Sequence, residues 1–581
     1  MTKNIATSNG TSQEMLLTVP PYSGCHLHVV NPHTGIITLS HYFNLQSPLL
    51  DLELTSTLAD LRQGRLALLN TYHDATAGLE TRARLLLQSH GSWAAPHIRF
   101  RDGWAWAWVV GGLTLAEALM TNMDGIYTMT RPLHLQLTLP THSAERLCSS
   151  WPSGGGWEKR HYFCDLYDGY GDLCSCVTPA LVPPPPTLKQ EWWRENITFI
   201  VLAANRPRYL YRLLQQLLTQ PGVSPDLVMV SVDGLQEETI RLLELFGLRC
   251  FIHTPEGTVT SARISRHLRF ALFKALETFE DVDKFIILEE DLILAPDFYS
   301  FMQQTSVLLE EEEDSLYGVS AFSHFGSSHT SSDLERLQRV TSFPSCGWMT
   351  TRAFLTETLP KWPPAYVTAD WDFWMETEVV RGERELVLPE VSRTSHGGVS
   401  GSHSGGDLGR WYRDKPLSHL PHTRLNLTAV RRETYEENIL EELKRARPLN
   451  VSDPFRLVIP INQSAGVWLA RVKMNYVEDS SAFRILAQAL EVWHADARDH
   501  HFGLWRIPYQ GVIIFIVGVP YSKYSSLVEG AGQVLHSTPA LHAAILNKGL
   551  ELENMSLEAH QSNDFRHILS LDVEESDEVP D

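Results

Sequence analysis

Three carboxylates stand together at Glu289-Glu-Asp291, directly after the apolar run Phe285-Ile-Ile-Leu288. Four consecutive apolar residues predict a buried strand, and in open parallel α/β sheets ligands bind beyond the carboxyl ends of the strands. Clustered carboxylates in that place suit a hard cation such as Mg2+ or Mn2+ that carries a diphosphate. The chain holds its own control: Glu310 to Asp314 is as acidic, but its helical context predicts a solvated face. A second pair, Asp370 and Asp372, is set among Trp371, Phe373 and Trp374. An aspartate in apolar surroundings can have its pKa raised and serve as a general base; the same spacing equally describes a helix N-terminus capped by Asp370 or Asp372. Arg206, in Ala203-Ala-Asn-Arg-Pro207, can grip a diphosphate through paired hydrogen bonds, or be a turn residue facing a surface acid. Gly397 to Gly406 reads either as a lid that orders over a ligand or as a disordered loop.

The elements that would position these residues follow from apolar spacing. Thr198 to Leu202, Leu227 to Val232, Arg249 to Ile252 and Phe285 to Leu288 are short apolar runs that predict buried strands. Amphipathic stretches at Tyr209 to Leu218 and Glu237 to Phe246 alternate with them, and Ala295-Pro-Asp-Phe298 marks a helix start. Strand and helix in alternation predict an α/β domain with a parallel sheet over residues 195–425. A further α/β part is expected over 426–530, with strands near Val467 to Val472 and Val512 to Val519. Before the sheet, residues 21–135 alternate apolar and polar in short runs, with one helical stretch from Leu79 to Ser89, and predict a small β-rich domain. Trp104, Trp106 and Trp108 share one face of a strand there; core packing is favoured over a sugar-binding platform. Residues 140–190 read as a Cys- and Pro-rich linker, 1–20 as a disordered N-terminus and 531–581 as a disordered acidic tail.

At 581 residues the chain exceeds one compact core. Its net charge of −21 argues against nucleic acid as a partner, which demands a basic footprint. No apolar run is long enough to span a bilayer, and residues 1–20 lack the features of a signal peptide, which by itself reads as cytosolic. The cysteines point elsewhere. Four of the seven, Cys148, Cys164, Cys174 and Cys176, fall in one loop-rich segment and read as two disulfides, with a zinc site as the rival. Sequons at Asn9, Asn196, Asn426, Asn450, Asn462 and Asn554 agree with a luminal setting whose membrane anchor is missing from this sequence.

Taken in order, Asn205-Arg-Pro-Arg-Tyr-Leu-Tyr-Arg212, Phe246-Gly-Leu-Arg249, His253-Thr-Pro255, Leu288-Glu-Glu-Asp-Leu292, Pro360-Lys-Trp-Pro363 and Val391-Ser-Arg393 resemble the β-1,2-N-acetylglucosaminyltransferases, the family of N-acetylglucosaminyltransferase I. Gly503-Leu-Trp-Arg506 and Val517-Gly-Val-Pro520 resemble the family's C-terminal region. Gly169-Tyr-Gly171 and Cys174-Ser-Cys176 resemble the stem of its branch acting on protein O-linked mannose. The resemblance implies a GT-A-type nucleotide-sugar fold and Mn2+-dependent, inverting transfer of GlcNAc from UDP-GlcNAc to the 2-hydroxyl of a mannose on a glycoprotein, in the Golgi. It further implies Asp291 on the metal, Glu289 and Glu290 near the donor sugar and ribose, Asp233 and His267 on the uracil, Arg206 and Ser400 at the diphosphate, and Asp372 as catalytic base. Trp505 and Arg506 are carried over as acceptor contacts. The chain departs from the family at Phe322-Ser-His324, where Trp-Asn-Asp is usual, at Ser345-Cys-Gly-Trp348, where Gly-Leu-Gly-Trp is usual, and in the lid over Ser402 to Asp407. Gly318 and Leu386 replace a pair of cysteines. These departures leave a non-catalytic glycan-binding or scaffold protein as the alternative.

Overall fold

The structure is a computed structural model that describes residues 23–45, 51–123, 156–175, 177–185, 187–257, 259–364, 370–398, 415–454 and 466–539, the strands 3–8 and 11–16, and scattered further positions. The fold is mixed α/β, and the chain divides into two compact units: residues 1–323, 334–337 and 343–427 form the first, and 324–333, 338–342 and 428–581 the second.

The first unit opens with an antiparallel five-stranded sheet in the order Ile37–Asn44, Gly24–Val30, Leu66–Tyr72, Gly103–Val109, Thr114–Met120. Helices Asp51–Ala59 and Thr81–Ser89 pack on it. The tryptophan stripe is core: Trp104, Trp106 and Trp108 are buried and stacked on one another. Trp104 donates its indole N–H to Glu117 and Trp106 to Thr114. Residues 1–20, expected to be disordered, include a two-stranded hairpin of Lys3–Ser8 and Thr11–Leu16.

The Cys-rich segment is not a simple linker. Helix Trp157–Leu166 and the turn Gly171–Cys174 are joined by the Cys164–Cys174 disulfide and fold onto the five-stranded sheet. Buried Asp168 explains why: it pairs with buried Arg65 at 2.7 Å and accepts from the Arg62 backbone and the Thr38 hydroxyl. A charge removed from water needs this many partners to be tolerated. Cys148 and Cys176 lie outside the described residues.

The larger sheet of this unit has, in spatial order, strands Arg249–His253, Val228–Asp233, Thr198–Ala203, Lys284–Glu289, Trp348–Thr351, Leu316–Ser320 and Glu385–Pro389. All run parallel except Trp348–Thr351, which is antiparallel to both neighbours. From Thr198–Ala203 the chain steps outward to Val228–Asp233 and Arg249–His253, then returns to the other flank at Lys284–Glu289. The strand order therefore reverses between Thr198–Ala203 and Lys284–Glu289, which opens a crevice at their carboxyl ends. Gly318 and Leu386 are direct cross-strand partners, and a Cβ at Gly318 would lie 3.1 Å from the Leu386 side chain. The larger residue fills the space beside the smaller one.

Helix Pro207–Leu218 joins the five-stranded sheet and its helices to the larger sheet. Its Arg208 donates to the Asp168 carbonyl and to Glu238, Tyr209 to Glu53, Tyr211 to Asp172, and Arg212 to Asp60. Gly169 and Gly171 fit this junction because both take a positive φ. A Cβ would also meet Arg208 Nε at 2.8 Å in the first case and Asp60 Oδ1 at 2.8 Å in the second.

The second unit is built on a sheet ordered Arg447–Pro448, Val467–Met474, Val512–Pro520, Leu504–Tyr509, with Val534–Leu535 also paired to Val467–Met474. That last pairing carries the fold past the expected limit at residue 530. Helices Arg432–Arg445 and Ser481–Ala489 belong to this unit. Among the described residues no helix is long and apolar enough to cross a membrane.

Candidate active site

The crevice collects the predicted residues. Glu289 ends its strand opposite Leu202, and the Glu290 backbone N–H donates to the Leu202 carbonyl at 2.9 Å, so the two strand tips are tied together. Buried Glu290 accepts from the Ala204 backbone at 2.8 Å and from Arg206 Nε at 3.2 Å. Arg206 Nη1 reaches Asp291 Oδ2 at 2.6 Å. Burial works against the charge on Arg206, but Asp291, Glu290 and Glu289 more than offset it and hold the guanidinium above its ordinary value. Asp291 is buried, and its other oxygen, Oδ1, has no hydrogen-bond partner among the described residues.

Glu289 is the strained member. Burial first, and then the Asp291 carboxylate, push its carboxyl up to about 7, with Asp372 and Glu290 adding to the effect. Burial also raises Glu290, against the pull of Arg206. The influence of Asp372 on Glu289 brings the second motif to the same crevice. Helix Trp371–Glu376 carries Asp372 half-buried, with Oδ1 accepting from the Phe373 backbone at 2.9 Å. Asp370 stands at the helix N-cap without a side-chain capping bond. Three aromatic contacts seat this short helix: Trp371 on Trp348, Phe373 on Phe343 and Trp374 on Trp362.

At the outer flank, Asp233 Oδ1 meets His253 Nδ1 at 2.8 Å, and Asp233 Oδ2 accepts from Arg263 at 3.3 Å. His267, on helix Thr260–Thr278, contacts the Ser231 hydroxyl at 2.9 Å and stacks on His253. Burial lowers the His267 imidazole to about 4, leaving a neutral, hydrogen-bonding ring.

Two residues of the site carry no role in the sequence reading. His396, on the short strand Thr394–His396, places Nε2 at 3.2 Å from Asp291 Oδ2. Gly398 leaves that approach open: a Cβ there would stand 2.6 Å from Asp291 Oδ2 and 3.1 Å from Arg206 Nη1. A lone histidine in a strand gives no sequence signal, and Gly398 is one of several glycines in a flexible-looking stretch. Ser400 and the rest of 399–410 lie outside the described residues.

Trp505 and Arg506 are not presented to a ligand. Trp505 is buried in the core of the second unit, stacked on Phe483 at 4.0 Å with its indole N–H donated to the Arg498 carbonyl. Arg506 is buried and held by Glu442 through bonds of 2.7 and 3.0 Å. Leu504–Tyr509 is covered on both faces, so Arg506 is taken out of solvent and paired with Glu442, with its Nη1 buried and without a partner among the described residues. Among the departures from the family pattern, His324 is buried against Asp499 at 3.0 Å, with Arg498 on its other ring nitrogen at 2.9 Å.

Residues 175–521 match the GNT-I family, and residues 23–112 match the interleukin-like EMT inducer family. The chain belongs to the GNT-I family. It is 26% identical over 340 residues to an alpha-1,3-mannosyl-glycoprotein 2-beta-N-acetylglucosaminyltransferase of Arabidopsis thaliana, covering 54% of this chain and 70% of that one. Among solved structures it is similar to S. aureus TarS in complex with UDP-GlcNAc, at 13% identity and a TM-score of 0.25, over 37% of this chain and 64% of that one. It is also similar to CMP:2-keto-3-deoxy-manno-octonic acid synthetase complexed with CTP, at 13% identity and a TM-score of 0.24, over 35% and 93% respectively.

Proposed function

We propose that this GNT-I family member is an inverting glycosyltransferase that moves GlcNAc from UDP-GlcNAc to the 2-hydroxyl of an α-linked mannose on a glycoprotein. The observation that carries the reading is the meeting of Arg206, Glu290 and Asp291 at the strand-order reversal of the sheet, with Asp372 close enough to perturb Glu289. The crevice at that reversal supports a GT-A-type site.

Arg206, released toward a ligand, grips the diphosphate of the donor. Asp233, His253 and His267 form a shelf for the uracil, with hydrogen-bonding groups fixed by their mutual contacts. Glu289 and Glu290 face the ribose and donor sugar. Asp372 takes the proton from the acceptor hydroxyl as that oxygen attacks the anomeric carbon from the face opposite UDP, which turns an α-linked donor into a β-linked product.

A divalent cation, Mn2+ by family resemblance, fits the donor set: Asp291 Oδ1 is a buried carboxylate oxygen without a partner among the described residues. When bound, such an ion stabilises the charge that develops on the leaving diphosphate. Among the described residues no group of three or more His, Cys, Asp or Glu side chains is arranged to hold a metal, so diphosphate oxygens and water would complete the coordination. The Cys164–Cys174 disulfide supports a secretory-pathway location, the Golgi lumen by family resemblance.

The test is Mn2+-dependent transfer from UDP-GlcNAc to an α-mannosyl-Ser/Thr peptide, with product linkage read by NMR. Transfer by the wild type, lost in Asp372→Asn while UDP binding persists, supports enzyme and base together. Folded protein that binds UDP but transfers to neither this peptide nor an N-glycan mannose would overturn the reading in favour of a glycan-binding scaffold.

A further inference from the structure

The Asn-x-Ser/Thr motifs of the sequence have no part in the crevice. At Asn450-Val-Ser452 the chain is leaving the sheet of the second unit. Arg447–Pro448 is the outermost strand of that sheet and pairs with Val467–Met474, and just after it the Leu449 backbone N–H donates to the Leu469 carbonyl at 2.8 Å. Leu449 and Val451 are buried in the core of this unit, whereas Asn450 and Ser452 are exposed. That alternation is what an extended chain with one covered face gives, and it leaves the asparagine and the hydroxyl of the motif together on the solvent side.

The two polar residues are joined. Asn450 Oδ1 accepts from the Ser452 backbone N–H at 3.1 Å and from the Ser452 hydroxyl at 2.7 Å. This turn spans two residues and needs no tertiary contact, so it is open to the chain before folding as well as after it. Both hydrogen bonds draw electron density toward Oδ1, which makes the Nδ2 hydrogens more acidic and Nδ2 the atom ready for substitution. Position 451 is Val, so no proline interrupts the motif. The motif at Asn196 is built differently. There Ile197 and Thr198 are both fully buried, and Thr198 starts the strand Thr198–Ala203, so its hydroxyl is closed off from solvent.

We propose that Asn450 is a modification site that carries an N-linked glycan. The inference rests on the reading that the chain matures in the secretory pathway, where the donor, an oligosaccharide held on a lipid diphosphate, is available. Asn450 Nδ2 bonds to the anomeric carbon of that oligosaccharide as the bond from this carbon to the diphosphate oxygen breaks. The lipid diphosphate leaves with the electron pair, one amide hydrogen leaves as a proton, and nothing is oxidised or reduced. The product sets a bulky, hydrated group at the end of the outermost strand, beside an edge to which a strand of another chain could otherwise add.

Peptide mass spectrometry on the full chain, isolated from cells that make it and alkylated at lysis, tests both readings in one sample. The state of Cys164 and Cys174 reports the compartment, and release by peptide N-glycosidase in heavy-oxygen water marks each occupied asparagine. The expected result is an oxidised Cys164–Cys174 pair together with the heavy-oxygen mark at Asn450. On a gel, Asn450→Gln and Ser452→Ala each lose one step of glycosidase-sensitive mobility, while Ser452→Thr keeps it. An oxidised pair with Asn450 bare overturns the site and leaves the secretory reading standing. A reduced pair with Asn450 bare overturns both. A full set of mobility steps in Asn450→Gln and Ser452→Ala also overturns the assignment to Asn450. Should either variant fail to fold, the mark on the wild-type peptide decides alone.

Discussion

Two acidic runs of the first unit, Glu289–Asp291 and Glu310–Asp314, have similar composition and opposite fates. In the first, Glu290 and Asp291 are buried and share Arg206. In the second, the Glu310 side chain is 61% exposed and its neighbours Glu311, Glu313 and Asp314 face solvent. The first run caps a strand buried on both faces, whereas the second leaves a four-residue helix, Leu308–Glu311. The two even touch one strand from opposite ends: Lys284, at its start, pairs with Glu195 and Glu310. Acid density alone therefore carries no functional information in this chain; the element that delivers the acids does.

That contrast can be broken by substitution. The largest effects belong to the crevice: Asp372→Asn is expected to lower kcat by about 10^3-fold with UDP affinity retained, and Asp291→Asn to abolish cation-dependent UDP binding in titration calorimetry. Gly398→Ala should come next. Its methyl group must displace Asp291 or Arg206, and a displacement of about 1 Å at a reacting centre costs on the order of 10^2-fold in kcat/KM. If Gly398→Ala is as active as wild type, the crowding at Asp291 has no functional meaning.

A smaller effect concerns pH in the metal-free protein. Glu289, pushed up to about 7 by burial and by Asp291, binds a proton in the folded state that it lacks in the unfolded state over the range from its ordinary value to about 7. Stability from this group therefore falls as pH rises through that window and levels off above it. Thermal unfolding at pH 5 and pH 8 should show a smaller drop for Glu289→Gln than for wild type; an unchanged drop would mean that the charge on Glu289 is relieved in another way. Least of all, Glu313→Gln in the exposed run should leave activity unchanged and alter stability by less than about 0.5 kcal/mol.

Much of this was legible in the sequence, for a physical reason. Parallel strands buried on both faces are continuous apolar runs, so the strands that deliver Arg206, Asp233 and Glu289–Asp291 stand out, and helix Glu237–Phe246 is bounded as its spacing predicts. Helix Thr260–Thr278 escaped, although it is the longest element of the site, because only Leu268 and Leu272 of its buried face are large apolar residues, the rest being Ala262, Ser265, His267, Ala271 and Ala275. His396 and Gly398 are brought to Asp291 by a strand pairing that no local pattern encodes. Trp505 and Arg506 show the reverse: residue types suited to a sugar are engaged in packing and in an ion pair. The glycines of Gly169-Tyr-Gly171 became intelligible only when Arg208 and Asp60 were found against them.

Helix Pro207–Leu218 has a consequence for anyone who would trim this protein. It starts one residue after Arg206, and the carboxyl and carbonyl groups that hold its Arg208, Tyr209, Tyr211 and Arg212 include Glu53, Asp60, Asp168 and Asp172. A fragment cut at the proline stretch would keep the larger sheet and strip that helix of its acidic bearings. A fragment that is to keep this helix seated therefore has to include the N-terminal sheet and the segment after it, and a graft that replaces them must bring three matching acids and one backbone carbonyl with it.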